Sequence, residues 1–148
     1  MPDPTPEIDF GGATPILRVS NMADSLDYYT RVLGFRVQFQ VDGFASVGRG
    51  RASIMLCKGD QGKPGTWLWV GVSDADALHE ELRERGAFIR HAPTNYPWGS
   101  REVHVTDPDG HVLRFGSDVV PGEPVGDWLD GDGVRWELQP DGSWRADR

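Results

Sequence analysis

A chain of 148 residues is long enough for one domain with its own hydrophobic core and too short for two ordinary ones. Its formal charge of −8 argues against nucleic acid as a partner, because phosphate binding needs a basic surface, and no apolar run is long enough to cross a membrane. A single cysteine, Cys57, excludes an intramolecular disulfide and, with a first segment that lacks the pattern of a secretion signal, predicts a cytoplasmic protein.

The first half of the chain predicts a strand, a helix and three further strands. Residues 1–11 are rich in Pro and Asp and are expected to form a flexible arm. A strand follows over 13–19, and Ser20 or Asn21 can cap a helix that ends at Gly34. The apolar residues of this helix fall on one face: Met22, Leu26, Tyr29 and Leu33. Three short strands are then predicted, at residues 35–41, 44–50 and 52–58.

The second half repeats this order. A strand over 67–72 is followed by a helix with Ser73 as its N-cap and Gly86 as its end. The apolar stripe of this helix is Ala75, Leu78 and Leu82. The remaining predicted elements are a strand at 87–92, a loop at 93–100, and strands at 101–106 and 111–115 joined by the turn Asp107-Pro108-Asp109-Gly110. The two halves therefore form an internal repeat of strand, helix and three strands.

The end of the chain differs from both halves. It is acidic and loop-like at first, and then alternates around a turn at residues 140–142, which predicts a small hairpin. Trp136 and Trp144 are expected to cover apolar surface there, and these two and Trp128 are expected to report little on ligand binding. The expected organisation is a domain over 12–117, built from modules 12–59 and 65–117, and an extension over 118–148.

Trp67 and Trp69 stand two residues apart in the predicted strand of residues 67–72. Because alternate side chains of a strand share a face, both tryptophans point one way and Leu68, Val70 and Val72 point the other. The aliphatic side is typical of a core. Tryptophan is usually buried for packing, so the tryptophan side faces either more core, a partner chain or a ligand.

Three segments make the chain similar to the vicinal oxygen chelate superfamily, also called the glyoxalase, bleomycin-resistance and dioxygenase superfamily. They are PILRVSNMADSLDYYTRVLGF, VSDADALHEELRERGA and YPWGSREVHVTDPDGHVLRFG, of which the last resembles most specifically the bleomycin-resistance-like branch. The resemblance covers about residues 12–117. It implies an α+β fold of two βαβββ modules whose curved mixed sheets enclose a cavity. It also implies a homodimer, often with cavities shared between subunits.

The resemblance also bears on metal binding. Metal-dependent members use His, Gln or Glu at four strand positions, and alignment of the motifs places these positions on Thr14, Met55, Trp67 and Arg114. Thioether, indole and guanidinium groups do not suit a hard divalent metal. We therefore expect no metal, no other cofactor and no catalytic residue of the usual kind. A displaced metal site is a weaker alternative, formed by His91, His104, His111 and Glu102.

Given this resemblance, the tryptophan face is expected to line the cavity. Trp98 lies in a loop between Pro and Gly, where it either packs under the loop or contacts a ligand. Phe39 and Phe44 flank a turn at which antibiotic-binding relatives present aromatic rings, although plain core packing is nearly as good an interpretation. The predicted ligand-binding residues are Phe39, Phe44, Met55, Trp67, Trp69, Trp98 and Arg114.

Together with the resemblance, these residues predict metal-free sequestration of a planar, cationic organic molecule, and the likeness to bleomycin-resistance proteins implies a role in antibiotic resistance. Stacking and cation–π contacts contribute about 0.5–2 kcal/mol each without any chemistry. One alternative is a lyase, isomerase or dioxygenase-type enzyme of the same superfamily that acts on a small metabolite with displaced or no metal ligands. Another is an interaction module whose cavity is filled. The fold alone does not choose among the three.

Overall fold

The computed structural model describes residues 7–147. Most of the predicted arm, residues 1–6, lies outside the described residues, and residues 7–15 precede the first strand. The first module consists of β1 (Ile16–Arg18), α1 (Met22–Asp27) with a π-helical continuation (Tyr28–Val32), β2 (Arg36–Val41), β3 (Phe44–Arg49) and β4 (Ala52–Cys57). The second consists of β5 (Trp67–Gly71), α2 (Ala75–Glu84), β6 (Phe88–Asn95), β7 (Ser100–Thr106) and β8 (Val112–Asp118). The extension carries β9 (Trp128–Leu129), β10 (Arg135–Leu138) and β11 (Trp144–Asp147).

The two modules have the same topology. Their sheets have the orders β1-β4-β3-β2 and β5-β8-β7-β6. In each sheet the first and last strands of the module pair in parallel, and the other neighbours pair antiparallel. This arrangement confirms the predicted α+β fold of two βαβββ modules. A third sheet of order β11-β10-β9 belongs to the extension and contains the predicted hairpin.

Local sequence signals explain most helix ends. Asn21 is the N-cap of α1, since its side-chain oxygen accepts a hydrogen bond of 3.0 Å from the Asp24 amide. The N-cap of α2 is Asp74 and not the predicted Ser73, because the Asp74 carboxylate accepts from the Ala77 amide and its charge favours a helix N-terminus. Both helical segments are followed by a glycine with positive φ, Gly34 and Gly86, as predicted.

Strand β6 is longer than predicted. The segment from residue 93 was expected to be loop, but the strand continues to Asn95, which is paired with Arg101 of β7. Pro93 is tolerated because β6 is an edge strand and its register shifts twice between Ile89 and Thr94. The loop between β6 and β7 therefore begins only at residue 96.

One hydrophobic core is shared by both modules. It contains Leu17, Val47, Ile54 and Leu56 from the first sheet, Val103, Val105, Leu113 and Phe115 from the second, and Tyr29 and Leu82 from the helical segments. As predicted, Leu68, Val70 and Val72 pack against this core. Because strand side chains alternate, the next residues along each strand point away from the core. We call these sides the outer faces of the two sheets.

Hydrogen bonds from the first helical segment hold the modules together. The Tyr28 hydroxyl donates to the Thr106 carbonyl oxygen at 2.7 Å, and the Tyr29 hydroxyl donates to the Asp107 carboxylate at 2.9 Å. Burial raises the pKa of the Tyr28 hydroxyl to about 12, so it stays a donor. Among residues 7–147, no helix is long and apolar enough to cross a membrane.

Candidate functional site

The outer face of the second sheet carries the chemically richest cluster of the chain. Trp67 and Trp69 of β5, Glu102 and His104 of β7, and Arg114 of β8 all point to this side. The strand register places Trp69 beside Arg114, and Arg114 beside His104. Alternation along three neighbouring strands thus gathers residues that lie far apart in sequence.

A buried carboxylate organises this face. Glu102 is fully buried and accepts hydrogen bonds from Trp98 Nε1 and His104 Nε2, both at 2.9 Å, and from the Arg114 guanidinium at 2.7 and 3.0 Å. Burial alone would raise the pKa of this carboxyl. The hydrogen bonds from His104, Arg114 and Trp98 outweigh burial and lower the pKa from 4.5 to about 2. Glu102 is therefore ionised, and its charge is balanced by Arg114.

The rings of His104, Tyr96 and Trp98 form a stack next to this carboxylate. The ring of Tyr96 lies 5.7 Å from His104 on one side and 4.8 Å from Trp98 on the other, nearly parallel to both. Burial raises the pKa of the Tyr96 hydroxyl, so the phenol is neutral. The stack and the Glu102 hydrogen bond fix the indole of Trp98, although 49% of that residue is exposed. Trp98 is thus a rigid aromatic surface open to solvent.

The extension covers part of this face. Trp128 of β9 meets Tyr96 and Trp98 edge-on, with ring centroids 5.5 Å away in both cases, and lies 5.8 Å from Trp67. The Arg114 guanidinium lies 5.1 Å from the Trp128 ring and 5.7 Å from the Trp98 ring. Trp128 is therefore packed against the aromatic rings around Trp98, and the expectation that the extension tryptophans report little on ligand binding stays a prediction.

Buried polar residues of the second module hold the extension in place. The Asn95 amide donates to the carbonyl oxygens of Val120 and Glu123, and its oxygen accepts from the Val120 amide. Arg101 makes a bidentate pair with Asp76 of α2 and also pairs with the Glu123 carboxylate. These contacts make the extension an integral layer of the fold.

Further along the extension, the main chain is held by a second guanidinium. Arg90 donates to the carbonyl oxygens of Leu129 and Asp130 and lies 5.0 Å above the Trp67 ring. Trp67 is consequently enclosed between Arg90 and Trp128.

A pocket of about 620 Å³ lies between the second sheet and the extension. We call it the extension pocket; it is lined by Trp98, Arg114, Trp128, Asp130, Trp136 and Trp144. Trp136 Nε1 donates to the Asp130 carboxylate at 2.8 Å. This bond and main-chain donors lower the pKa of the Asp130 carboxyl, which is therefore charged near neutral pH. Pockets of a few hundred Å³ with mostly aromatic walls and few polar groups are typical of small-molecule sites.

Trp69 lies outside the extension pocket. The Trp69 indole packs directly against the backbone of Gly116. A Cβ added at position 116 would lie 2.5 Å from Trp69 Nε1, so only glycine leaves room for this ring position. The residue is 54% exposed. It lines a separate groove of about 1290 Å³ together with residues of β4 and α2 and the segment before β1.

The predicted ligand-binding residues fall into two groups in this chain. Phe39, Phe44 and Met55 lie on the outer face of the first sheet, where the two phenyl rings stack at 6.0 Å. The other four lie on the second sheet, and of these only Trp98 and Arg114 line the extension pocket. Sequence reasoning did not assign Trp128, Asp130, Trp136 and Trp144 to a pocket. The available signal was that three of the six tryptophans fall in the extension.

The positions considered for metal binding are also separated. Thr14 precedes β1 and Met55 lies on the first sheet, whereas Trp67 and Arg114 belong to the second. In the alternative set of metal ligands, both ring nitrogens of His111 are already hydrogen-bonded. Nε2 donates to the Arg18 carbonyl oxygen, and Nδ1 accepts from the Thr66 amide. No cluster of three or more His, Cys, Asp or Glu suited to a metal occurs in residues 7–147. The expected lack of a metal stays a prediction.

Comparison with known proteins gives one family and a group of similar structures. The sequence model of the Glyoxalase/Bleomycin resistance protein/Dioxygenase superfamily matches residues 12–115. No curated protein sequence matches the chain. The bleomycin-binding protein of Streptomyces verticillus, solved with copper(II)-bleomycin, is similar in structure with a TM-score of 0.65 and 26% identity over 76% of this chain and 100% of that one.

Two further solved structures are similar to the chain. A superfamily member from Sphaerobacter thermophilus has a TM-score of 0.61 and 26% identity, over 71% of this chain and 94% of the other. The bleomycin resistance determinant encoded on transposon Tn5 has a TM-score of 0.64 and 22% identity, over 75% of this chain and 100% of that one. The last likeness supports the shared fold alone.

Proposed function

The chain belongs to the Glyoxalase/Bleomycin resistance protein/Dioxygenase superfamily, and we propose that it binds and sequesters a planar, cationic organic molecule without changing it chemically. The observation that carries this proposal is the Trp98 surface. An indole that is 49% exposed, yet fixed by a hydrogen bond to a buried carboxylate and by stacking on Tyr96, is already ordered for binding. A preordered aromatic wall loses little entropy when a flat molecule stacks on it.

Charge supports a cationic ligand. The chain carries a formal charge of −8, which attracts cations over the distance of a Debye length. Arg114, the arginine that lines the extension pocket, is neutralised by Glu102 and does not repel a cation as a free guanidinium would. Bleomycin is a suitable first probe, because a similar protein was solved in complex with it.

We also propose that the chain acts as a homodimer in the cytoplasm. The edge strand β2 exposes Val37, Phe39 and Val41 by 44%, 45% and 59%. An edge strand with exposed apolar side chains is favourable to cover with a second chain. Light scattering at micromolar concentration tests the dimer, and Phe39→Asp is expected to shift it toward monomer. A monomeric wild type would contradict it.

Calorimetric titration tests the sequestration. The probes are bleomycin with and without copper(II), and the pair 9-aminoacridine and acridine, which have the same ring system but are charged and neutral at slightly alkaline pH. We expect the cation to bind more tightly than its neutral partner. Trp98→Ala should weaken binding by about 1–3 kcal/mol, the range for losing one aromatic anchor.

Phe10→Ala is the matched control, because Phe10 is an aromatic residue that is 95% exposed in the segment before β1. It should bind like the wild type. Recovery of the unchanged probe, checked by mass spectrometry, is expected. A wild type that binds none of the probes would overturn the proposal, and a chemically altered probe would indicate the enzyme alternative.

A further inference from the structure

We propose that the extension pocket is a ligand site contained within one chain, and that it takes a planar aromatic molecule bearing one basic group that pairs with Asp130. This inference rests on the proposed function, because it names the place and chemistry of the same binding event. It concerns the extension, which lies beyond the residues that match the family model. The outer wall of the site therefore lies outside the part of the chain that the family model matches.

The first argument is the state of the extension tryptophans. Trp128 is packed against four rings of the second module, as expected of a structural residue. Trp136 and Trp144 are different. Both are half-buried, and within residues 7–147 neither stacks on another ring or lies under a cation. Two indoles without an aromatic or cationic neighbour among the described residues thus line the pocket together with Trp98.

The second argument is charge. The two ionised side chains that line the pocket are Arg114 and Asp130. Arg114 is paired with Glu102, whereas no lysine or arginine in the described part of the chain forms a salt bridge with the Asp130 carboxylate. The nearest guanidinium, Arg90, bonds the main-chain oxygen of Asp130 and not its carboxylate. Of the two ionised side chains in the lining, Asp130 is therefore the one without a salt bridge among residues 7–147. A ligand with a positive group is complementary to it.

The third argument is that Asp130 is positioned in advance. One of its oxygens accepts from the Asp132 and Val134 amides at 2.9 Å, and the other accepts from Trp136 Nε1 at 2.8 Å. An ionised carboxylate offers about four acceptor sites, so these donors leave one free for a ligand. The bond to Trp136 also fixes the orientation of that indole, which is part of the pocket wall, relative to the Asp130 carboxylate.

The decisive experiment compares variants of the full chain with the two acridine probes. Asp130→Asn should weaken binding of 9-aminoacridine about tenfold and leave the affinity for neutral acridine within a factor of about two. Asp132→Asn is the matched control: the residue lies in the same turn and carries the same charge, but it is exposed and outside the pocket lining. It should change neither affinity by more than about twofold, because an exposed charge is screened.

The aromatic wall is tested by a second pair of variants. Trp144→Ala should weaken both probes about tenfold, and Trp144→Phe, which keeps an aromatic face, should stay within about threefold of the wild type. A thermal melt of each variant shows that the fold is intact. If Trp144→Ala unfolds, the phenylalanine variant and Asp130→Asn still decide the matter. One probe per chain is the expected stoichiometry.

The outcomes separate this inference from the proposed function. If Phe39→Ala or Trp69→Ala weakens binding while Asp130→Asn and Trp144→Ala do not, the ligand lies elsewhere and only the inference is wrong. If the pocket variants instead shift the chain from dimer to monomer in light scattering, a second copy of the chain occupies the pocket, which also overturns it. If the wild type binds no probe, both fail.

Discussion

The outer faces of the two sheets are built from the same module and carry opposite chemistry. Because β3–β4 and β7–β8 pair in the same register, Ser46 corresponds to His104, Met55 to Arg114, and Phe44 to Glu102. The first sheet thus has neutral residues wherever the second has its ionisable ones. On the first sheet, Ser46 and Ser53 donate to one side-chain oxygen of Gln38, at 2.6 and 2.8 Å.

The two faces also differ in what covers them. On the second sheet, the fully buried pair Glu102 and His104 lies beneath Trp98, Arg114 and Trp128. On the first, Phe39 remains 45% exposed. A buried charge needs hydrogen-bonded partners, which Trp98, His104 and Arg114 supply to Glu102, whereas the neutral face of the first sheet has no such requirement. The repeat fixes the backbone, and a few alternate side chains decide which face acquires a cover from its own chain.

The largest expected effect is the loss of the Glu102 carboxylate. Glu102→Ala leaves Arg114, His104 and Trp98 without their shared acceptor and should lower the free energy of unfolding by about 3–5 kcal/mol. Phe44→Ala, at the corresponding position of the first sheet, should cost about 1–2 kcal/mol, because that ring is only partly buried. Urea denaturation measures both. Glu84→Ala, on an exposed helix position, is the control, and equal losses at Glu102 and Phe44 would contradict the comparison.

The second expected effect is on the pH dependence of stability. The folded-state pKa of Glu102, about 2, lies below its ordinary value of 4.5, so its contribution is fully present above pH 4.5 and is lost as the pH falls toward 2. The shift corresponds to about 3 kcal/mol. The difference in unfolding free energy between wild type and Glu102→Gln should shrink by about that amount across this range. A difference that does not change with pH would show that Glu102 is not held ionised.

A smaller effect is expected where the extension is anchored. Asn95→Ala removes the group that satisfies the Val120 amide and the carbonyl oxygens of Val120 and Glu123, and should cost about 2 kcal/mol. Hydrogen exchange should accelerate in residues 119–138 and stay unchanged in the first sheet. Asn21→Ala is the matched control: it removes the cap of α1 and should cost about 1 kcal/mol without loosening the extension. Equal protection of the extension in both variants would contradict the anchoring role.

The smallest effect is expected on the open face of the first sheet. Ser46→Ala removes a hydrogen bond of 2.6 Å to Gln38, but Ser53 still donates to the same oxygen. We expect a loss of about 1 kcal/mol, measured by the same denaturation. His104→Ala, at the corresponding position of the second sheet, should cost clearly more, because it opens a cavity under Tyr96 and removes a donor to Glu102. A larger loss for Ser46→Ala than for His104→Ala would mean that the hydrogen bonds to Gln38 contribute more to stability than the network around Glu102.

Local patterns were sufficient for the repeated module. Helical spacing of Met22, Leu26, Tyr29 and Leu33, the cap at Asn21 and the glycines after each helical segment were all recognisable, because each depends on residues within one or two turns. The wrong prediction of Ser73 as an N-cap is also a local matter. Either of two adjacent residues can cap a helix, and in α2 the Asp74 carboxylate makes the capping hydrogen bond. The family was also recognisable from motifs in the sequence.

What the sequence by itself determined is that Trp67 and Trp69 share a face, since strand alternation requires only neighbouring residues. Only the tertiary structure decided that their surroundings differ. Trp67 is enclosed by Trp128, 61 positions further along the chain, and Trp69 stays open across Gly116. Composition showed three tryptophans in the extension but not the surface that they would meet. Such long-range contacts depend on how the whole chain packs, so the candidate pocket could be recognised only in the folded molecule.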